Sequence, residues 1–112
     1  MEDCIFCKIA AGEIPSKKIH EDERVLVFYD IDPQAPTHFL VISKEHIKGA
    51  GEITPENSDI VAYIFEVIAR IAKDFGLESF RVVTNYGVEA GQSVPHLHFH
   101  VLAGRELGWP PG

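Results

Sequence analysis

Three imidazoles recur at every second position in His96-Leu97-His98-Phe99-His100. Alternate side chains of an extended segment share a face, so His96, His98 and His100 fall on one side and Leu97, Phe99 and Val101 on the other. The stretch reads as a strand with a chemical face and a core face. At about 3.3 Å per residue the outer rings stand roughly 13 Å apart, so one ligand meets the middle ring while the flanking rings do other work. An imidazole with an ordinary pKa of about 6.5 is largely neutral at neutral pH and serves as nucleophile, proton carrier or metal ligand. A solvated polar face would account for a single histidine. Three in strict alternation, directly after the loop Gly87-Val88-Glu89-Ala90-Gly91-Gln92-Ser93-Val94-Pro95, point to function, because such a loop brings backbone N–H groups close to an anion.

Other reactive groups are scattered along the chain. Asp30 ends an apolar run, where the plain reading is a turn residue bonding its own backbone. Asn85 precedes Tyr86-Gly87 and could simply shape a strand exit, and His38 could be a satisfied strand histidine. The two cysteines form Cys4-Ile5-Phe6-Cys7, which excludes a disulfide framework. On a helix Cys4 and Cys7 share a face, which suits packing or two ligands of a tetrahedral zinc. A redox pair is disfavoured, because the βαβ surroundings of such motifs are missing. A metal-dependent hydrolase built on the histidine strand is a further physical rival, although no obvious carboxylate partners lie nearby.

The elements that must position these groups are legible. Asp3 can cap a short helix over Cys4 to Ala11, stopped by Gly12 and kept from resuming by Pro15. Lys17 to His20 and Arg24 to Asp30 read as a hairpin around Glu21-Asp22-Glu23, and His38 to Ile42 as a third strand. Thr54-Pro55-Glu56 places a hydroxyl cap, an N1 proline and an early acid at the start of one long helix. Its apolar stripe is Val61, Ile64, Phe65, Ile68, Ile71, Ala72 and Phe75, and Gly76 ends it. Phe80 to Tyr86 and Pro95 to Ala103 supply two more strands. The order predicts an α+β fold: an antiparallel five-stranded sheet with one long and one short helix.

At 112 residues the chain is expected to form a single domain, 1–112, near the size at which association helps stability. A net charge of −7 with scattered basic residues argues against nucleic acid, while one small phosphorylated ligand remains compatible. No apolar run approaches bilayer length, and the start lacks a secretory pattern, so the expectation is no membrane and a cytoplasmic location.

The run Gly91-Gln92-Ser93-Val94-Pro95-His96-Leu97-His98-Phe99-His100-Val101-Leu102 closely resembles the signature of the histidine triad family of nucleotide hydrolases and transferases. Phe28-Tyr29-Asp30-Ile31, Pro33 to Ile42 and the terminal Gly108-Trp109-Pro110-Pro111-Gly112 resemble its Hint branch, the purine nucleoside phosphoramidases. The resemblance spans nearly the whole chain. It implies a histidine triad fold, a sheet extended across a homodimer, and a tail, 104–112, reaching the partner and shaping leaving-group preference.

The same resemblance implies roles. His98 is the nucleophile that attacks the α-phosphorus of a purine nucleoside phosphoramidate, and the purine nucleoside monophosphate is the product. His100 and the Gly91 loop donate to the phosphate, Gln92 donates beside them, and Ser93 helps deliver a proton to the leaving amine. His38 is an active-site histidine behind the triad. Asp30 accepts from the ribose hydroxyls, Ile31 packs near the base, and Asn85 contacts the nucleotide. No cofactor is expected for catalysis. Members beginning with a similar Cys-Ile-Phe-Cys-Lys complete a structural zinc with two histidines, which match His46 and His96 here. The chain is mixed, since its Trp-Pro-Pro-Gly tail resembles members that usually lack the cysteines. A dinucleoside polyphosphate hydrolase or nucleotidyl transferase is the alternative, disfavoured by that tail, and a nucleotide-binding scaffold with incidental catalysis is the other.

Overall fold

The structure, a computed structural model, describes residues 3–112. Its frame is a five-stranded sheet formed by β1 (Lys18–Glu21), β2 (Val25–Tyr29), β3 (Thr37–Ser43), β4 (Arg81–Val83) and β5 (His98–Ala103), in the spatial order β1-β2-β3-β5-β4. Every neighbouring pair is antiparallel. β5 is therefore inserted between β3 and β4. The short helix α1 (Ile5–Ala10) and the long helix α2 (Asp59–Asp74) complete the α+β fold.

The pleat sorts the two faces. Val25, Val27, Phe39, Val41, Leu97, Phe99 and Val101 pack with Ile64, Val67, Ile68 and Ile71 of α2. The alternate residues Leu26, Phe28, Leu40 and Ile42 pack with Cys4, Phe6 and Ile9 at the other side. His100 opposes Leu40 and His98 opposes Ile42 across the β3–β5 ladder, so both histidines lie on the α1 side. Thus α2 supplies most of the apolar burial, while α1 covers the sheet beside the histidines.

Element boundaries differ from expectation for local reasons. Cys4, not Asp3, caps α1: its Sγ accepts from the Cys7 N–H at 3.3 Å. The residues Thr54 to Ser58 form a turn in which Thr54 O accepts from Asn57 N and Ser58 N, and Asn57 Oδ1 accepts from Thr54 N. This turn consumes the expected Thr54 cap, and α2 begins five residues later with Ser58 as N-cap. Its buried stripe includes Val67, whereas Phe65 and Phe75 remain 45% and 39% exposed. Phe65 still meets Phe99 edge to face at 5.5 Å. β5 starts at His98 instead of Pro95, since His96 N bonds Val94 O and Leu97 N bonds Ile47 O off the ladder. β4 is likewise reduced to Arg81–Val83.

Two close approaches join the site loop to the body. The Tyr86 ring lies on the backbone of Gly49 and Gly51, where an added Cβ would stand 2.7 Å and 2.4 Å from ring atoms. Only glycine permits this contact. The Tyr86 hydroxyl also donates to Glu52 Oε2 at 2.7 Å. Among the described residues no helix is long and apolar enough to cross a membrane.

Candidate active site

His98 and His100 enter from β5, His38 from β3, and Asp30 from the end of β2. His38 and His98 are each only 5% exposed. His98 Nδ1 lies 2.6 Å from the carbonyl of His96, which can only accept, so Nδ1 carries the proton. Its Nε2 is left with a lone pair. Phe6 of α1 stands edge to face against this ring, centroid to centroid 4.9 Å, and restricts its rotation. Thr84 Oγ1 donates to the His98 carbonyl at 2.7 Å and fixes the backbone beneath it.

His100 acquires the opposite proton arrangement. The Gln34 N–H donates to His38 Nδ1 at 3.0 Å, so the His38 proton resides on Nε2. That nitrogen lies 2.9 Å from His100 Nδ1, which accepts, and the remaining His100 proton is on Nε2. One ring thus offers a lone pair and its neighbour a donor. Asp30 Oδ2 stands 3.5 Å from His38 Nε2 and 3.9 Å from His100 Nδ1, too far for good hydrogen bonds. Asp30 Oδ1 accepts from Asp32 N at 2.8 Å.

Burial lowers the pKa of both β5 histidines. Burial is the main cause lowering the His98 pKa, opposed by its bond to the His96 carbonyl and by Asp30. Burial, then the neighbouring His98 and His38, lowers His100 to about 4. The unfolded imidazole titrates near 6.5, so between about 6.5 and 4 the unfolded chain binds a proton that the folded chain refuses. The contribution to stability is full above that window and is lost as pH falls through it. We expect an NMR titration to place the His100 midpoint well below 6.5, with the urea midpoint declining over the same interval. An ordinary imidazole midpoint for His100 in folded protein would contradict this.

Asn85 is half-buried against Gly91, its Nδ2 standing 3.7 Å from where a Gly91 Cβ would be. Ser93 is exposed in the loop before β5, and Ile31 is fully exposed. Gln92 Nε2 donates to Lys48 O and its Oε1 accepts from Gly87 N, each at 2.8 Å. These bonds brace the loop and leave the second Nε2 hydrogen to donate to a ligand. Trp109 is 83% exposed, and the tail before it is held where Arg81 donates to Leu107 O and Gly108 O.

A second cluster lies at the other end of the triad. Cys4, Cys7, His46 and His96 direct one ligand atom each into a group spanning no more than 4.8 Å. Cys4 Sγ is 3.2 Å from His96 Nδ1, and Cys7 Sγ is 3.2 Å from His46 Nδ1. These separations suit the edges of a zinc tetrahedron with bonds of about 2.3 Å to sulfur and 2.0 Å to nitrogen. His96 Nε2 donates to Ser43 O at 2.7 Å, which leaves its Nδ1 lone pair facing the thiols. Burial and Cys4 raise the Cys7 pKa, and a cation would supply the charge needed to ionise the pair. The donor set therefore fits zinc. His96 belongs to this cluster through its ring and to the first through its carbonyl.

Asp30, His38 and His100 also approach within 4.8 Å of one another. Here the two imidazoles already satisfy each other with one shared proton, so the cluster has an explanation without a metal.

Phe6, Gln34, Ser43 and Thr84 were not visible as site residues in the sequence. Three of them act through main-chain atoms or ring packing, for which residue spacing carries no signal.

The profile of the HIT domain family matches residues 11–107. A 14 kDa zinc-binding protein from Zea mays is 47% identical over 111 residues, covering 96% of this chain and 87% of that protein. A solved histidine triad protein from Clostridium difficile superposes with a TM-score of 0.93 at 51% identity, covering 96% of each chain. A HIT family hydrolase from Clostridium thermocellum gives a TM-score of 0.93 at 45% identity, again over 96% of each.

Proposed function

The chain belongs to the HIT domain family, and from that premise we propose that it is a nucleotide-binding hydrolase that cleaves purine nucleoside 5′-phosphoramidates. The carrying observation is the proton arrangement: His98 Nδ1 is held by the His96 carbonyl, leaving a neutral Nε2 lone pair beside the Nε2–H of His100. A buried neutral imidazole needs no deprotonation before it attacks. The relative from Clostridium thermocellum, described as a hydrolase, supports the reaction class.

In this reading the nucleoside lies between Asp30, which accepts from its ribose hydroxyls, and Ile31 and Asn85. His98 Nε2 forms a bond to the α-phosphorus as the phosphorus–nitrogen bond to the amine breaks. The departing amine takes a proton delivered through Ser93. His100 and the Gly91 loop donate to the non-bridging oxygens, where negative charge concentrates. Water then attacks phosphorus, breaks the bond to His98 and yields the monophosphate. His38 supports His100 from behind.

Structural zinc on Cys4, Cys7, His46 and His96 belongs to the same proposal, supported by the maize relative described as zinc-binding. It ties α1 to the segment that carries the triad. We also propose a homodimer. An apolar groove of about 560 Å³ between α2 and the β4–β5 side, lined by Ile53, Val61, Ala62, Leu97 and Phe99, offers a surface to the partner.

Mass spectrometry after brief mixing with an adenosine phosphoramidate tests the reaction. A nucleotidyl adduct on His98 is expected, and turnover with adduct elsewhere, or tight nucleotide binding without amine release, would overturn the assignment. In the proposed dimer Trp109 reaches the partner's site. Deleting Leu107 to Gly112 should then change kcat/KM unevenly among amine leaving groups, with little effect on monophosphate binding. A uniform change across amines in folded, dimeric protein would make the tail purely structural.

A further inference from the structure

The outer boundary of the histidine relay is a surface arginine. β5 ends at Ala103, and Gly104 follows with φ +95°, its backbone pressed so closely on Pro36 that an added Cβ would stand 2.9 Å from that ring. This turn brings Arg105 over the exposed segment between β2 and β3. Arg105 Nε donates to Gln34 O at 2.9 Å, and its Nη1 donates to Glu106 O at 2.9 Å. Gln34 N in turn donates to His38 Nδ1. We propose that Arg105 is a positioning residue that, through the Gln34 main chain, selects the proton arrangement of His38 and His100.

The two rings permit two self-consistent arrangements. In the first, His38 Nε2 donates to His100 Nδ1 and His100 Nε2 carries a proton outward. In the second, His100 Nδ1 donates to His38 Nε2, His38 Nδ1 is protonated, and His100 presents a bare lone pair to the ligand. Both place one proton between the rings, and Asp30, 3.5 Å from His38 Nε2 and 3.9 Å from His100 Nδ1, favours the first only slightly. The stronger discrimination falls to the outer nitrogen of His38, which faces the Gln34 N–H. The second arrangement would put two donors against each other there, and would present a lone pair to phosphate oxygens.

The segment has little packing to hold that N–H in place, since Ile31, Asp32, Pro33 and Gln34 are all exposed. Its other ties are Asp32 N to Asp30 Oδ1 and Gln34 Nε2 to Asp32 O, neither of which orients the peptide that follows Gln34. A guanidinium on the Gln34 carbonyl is charge-assisted and anchors the residue whose N–H faces His38. The same element that carries His98 and His100 thus also sets, through its exit, the protonation of the ring behind them.

Long-range ¹⁵N–¹H spectra of the imidazole nitrogens read the arrangement directly and do not depend on activity. In the unmodified protein at neutral pH, His38 and His100 should both be protonated at Nε2 and bare at Nδ1. In Arg105→Ala the population protonated at Nδ1 should become visible in both rings. The effect on turnover rests on the phosphoramidase reading: kcat should fall roughly ten-fold, with the Kd for nucleoside monophosphate changing less than about two-fold. Arg105→Lys, which keeps one donor and the charge, should restore both the spectra and most of kcat. If Arg105→Ala proves unfolded, Arg105→Met, which keeps the aliphatic stem without a donor, replaces it in the comparison. Rings that keep Nε2 protonation in either variant overturn the proposal, whatever happens to rate. Shifted rings with unchanged kcat, in protein that does turn over phosphoramidates, would remove its catalytic consequence. If the unmodified protein shows no phosphoramidate turnover at all, the functional reading fails while the spectra still decide the role of Arg105.

Discussion

His98→Ala is expected to reduce turnover of an adenosine phosphoramidate by at least ~10⁴-fold, because in the proposed reaction it removes the atom that forms the covalent intermediate. The fold should survive. The His98 ring packs against Phe6 on the α1 side, and Leu97 and Phe99, which join the α2 core, are untouched. His98→Asn should be as inactive, since an amide in the same space offers no comparable nucleophile. His100→Ala should act differently, leaving the lone pair of His98 but removing a donor to the phosphate. Quench-flow with matched circular dichroism separates the cases: a His98 variant showing near-normal single-turnover chemistry would remove the nucleophile from this ring.

The second large effect concerns metal. Protein purified with reduced thiols should carry stoichiometric zinc, and Cys7→Ser should lose it. A ligand held about a hundred-fold above its Kd adds ~2.7 kcal/mol to a fold. At about 2.1 cal/mol/K of unfolding entropy per residue, each kcal/mol moves Tm by about 4 °C in a chain of 112 residues, so metal loss should lower Tm by roughly 10 °C. Cys4 and Cys7 both lie at the start of α1, whose contacts with the sheet include Phe6 and Ile9. Releasing them should loosen α1 before it disturbs the α2 core. His98→Ala should leave metal content unchanged. Absence of zinc after attempted reconstitution, or a Tm indifferent to a strong chelator, would reassign the four side chains to thiol packing.

Residues that do their work through side-chain type and periodic spacing were readable in the sequence. His98 and His100 announce a strand face, although His96 lies just before the strand, and Cys4 and Cys7 announce one end of a helix. The apolar stripe around Ile64, Ile68 and Ile71 locates the long helix. Groups that work through main-chain atoms were not readable. The Gln34 N–H and the carbonyls of His96 and Ser43 set the protonation of His38, His98 and His96, yet every residue has such atoms. Competition among local bonds also escaped: Thr54 is a fair cap by type, but Asn57 closed a turn on it first. The insertion of β5 between β3 and β4 is a non-local choice that no window of sequence contains.

That strand order governs how the protein comes into being during synthesis. β5 is translated after all four of its companions, yet its place is an interior one. Until it emerges, β3 presents an open, strongly apolar edge, and β4 has no neighbour with which to pair. Such an edge invites association with other nascent chains. The thiols and His46 are by then available, but His96 is still to come, so the metal set is incomplete over the same interval. A chain divided between β4 and β5 would separate Asp30, His38 and Asn85 from His98 and His100. Neither fragment would be active alone, and activity recovered on mixing them would report the moment at which the last strand slips into the gap.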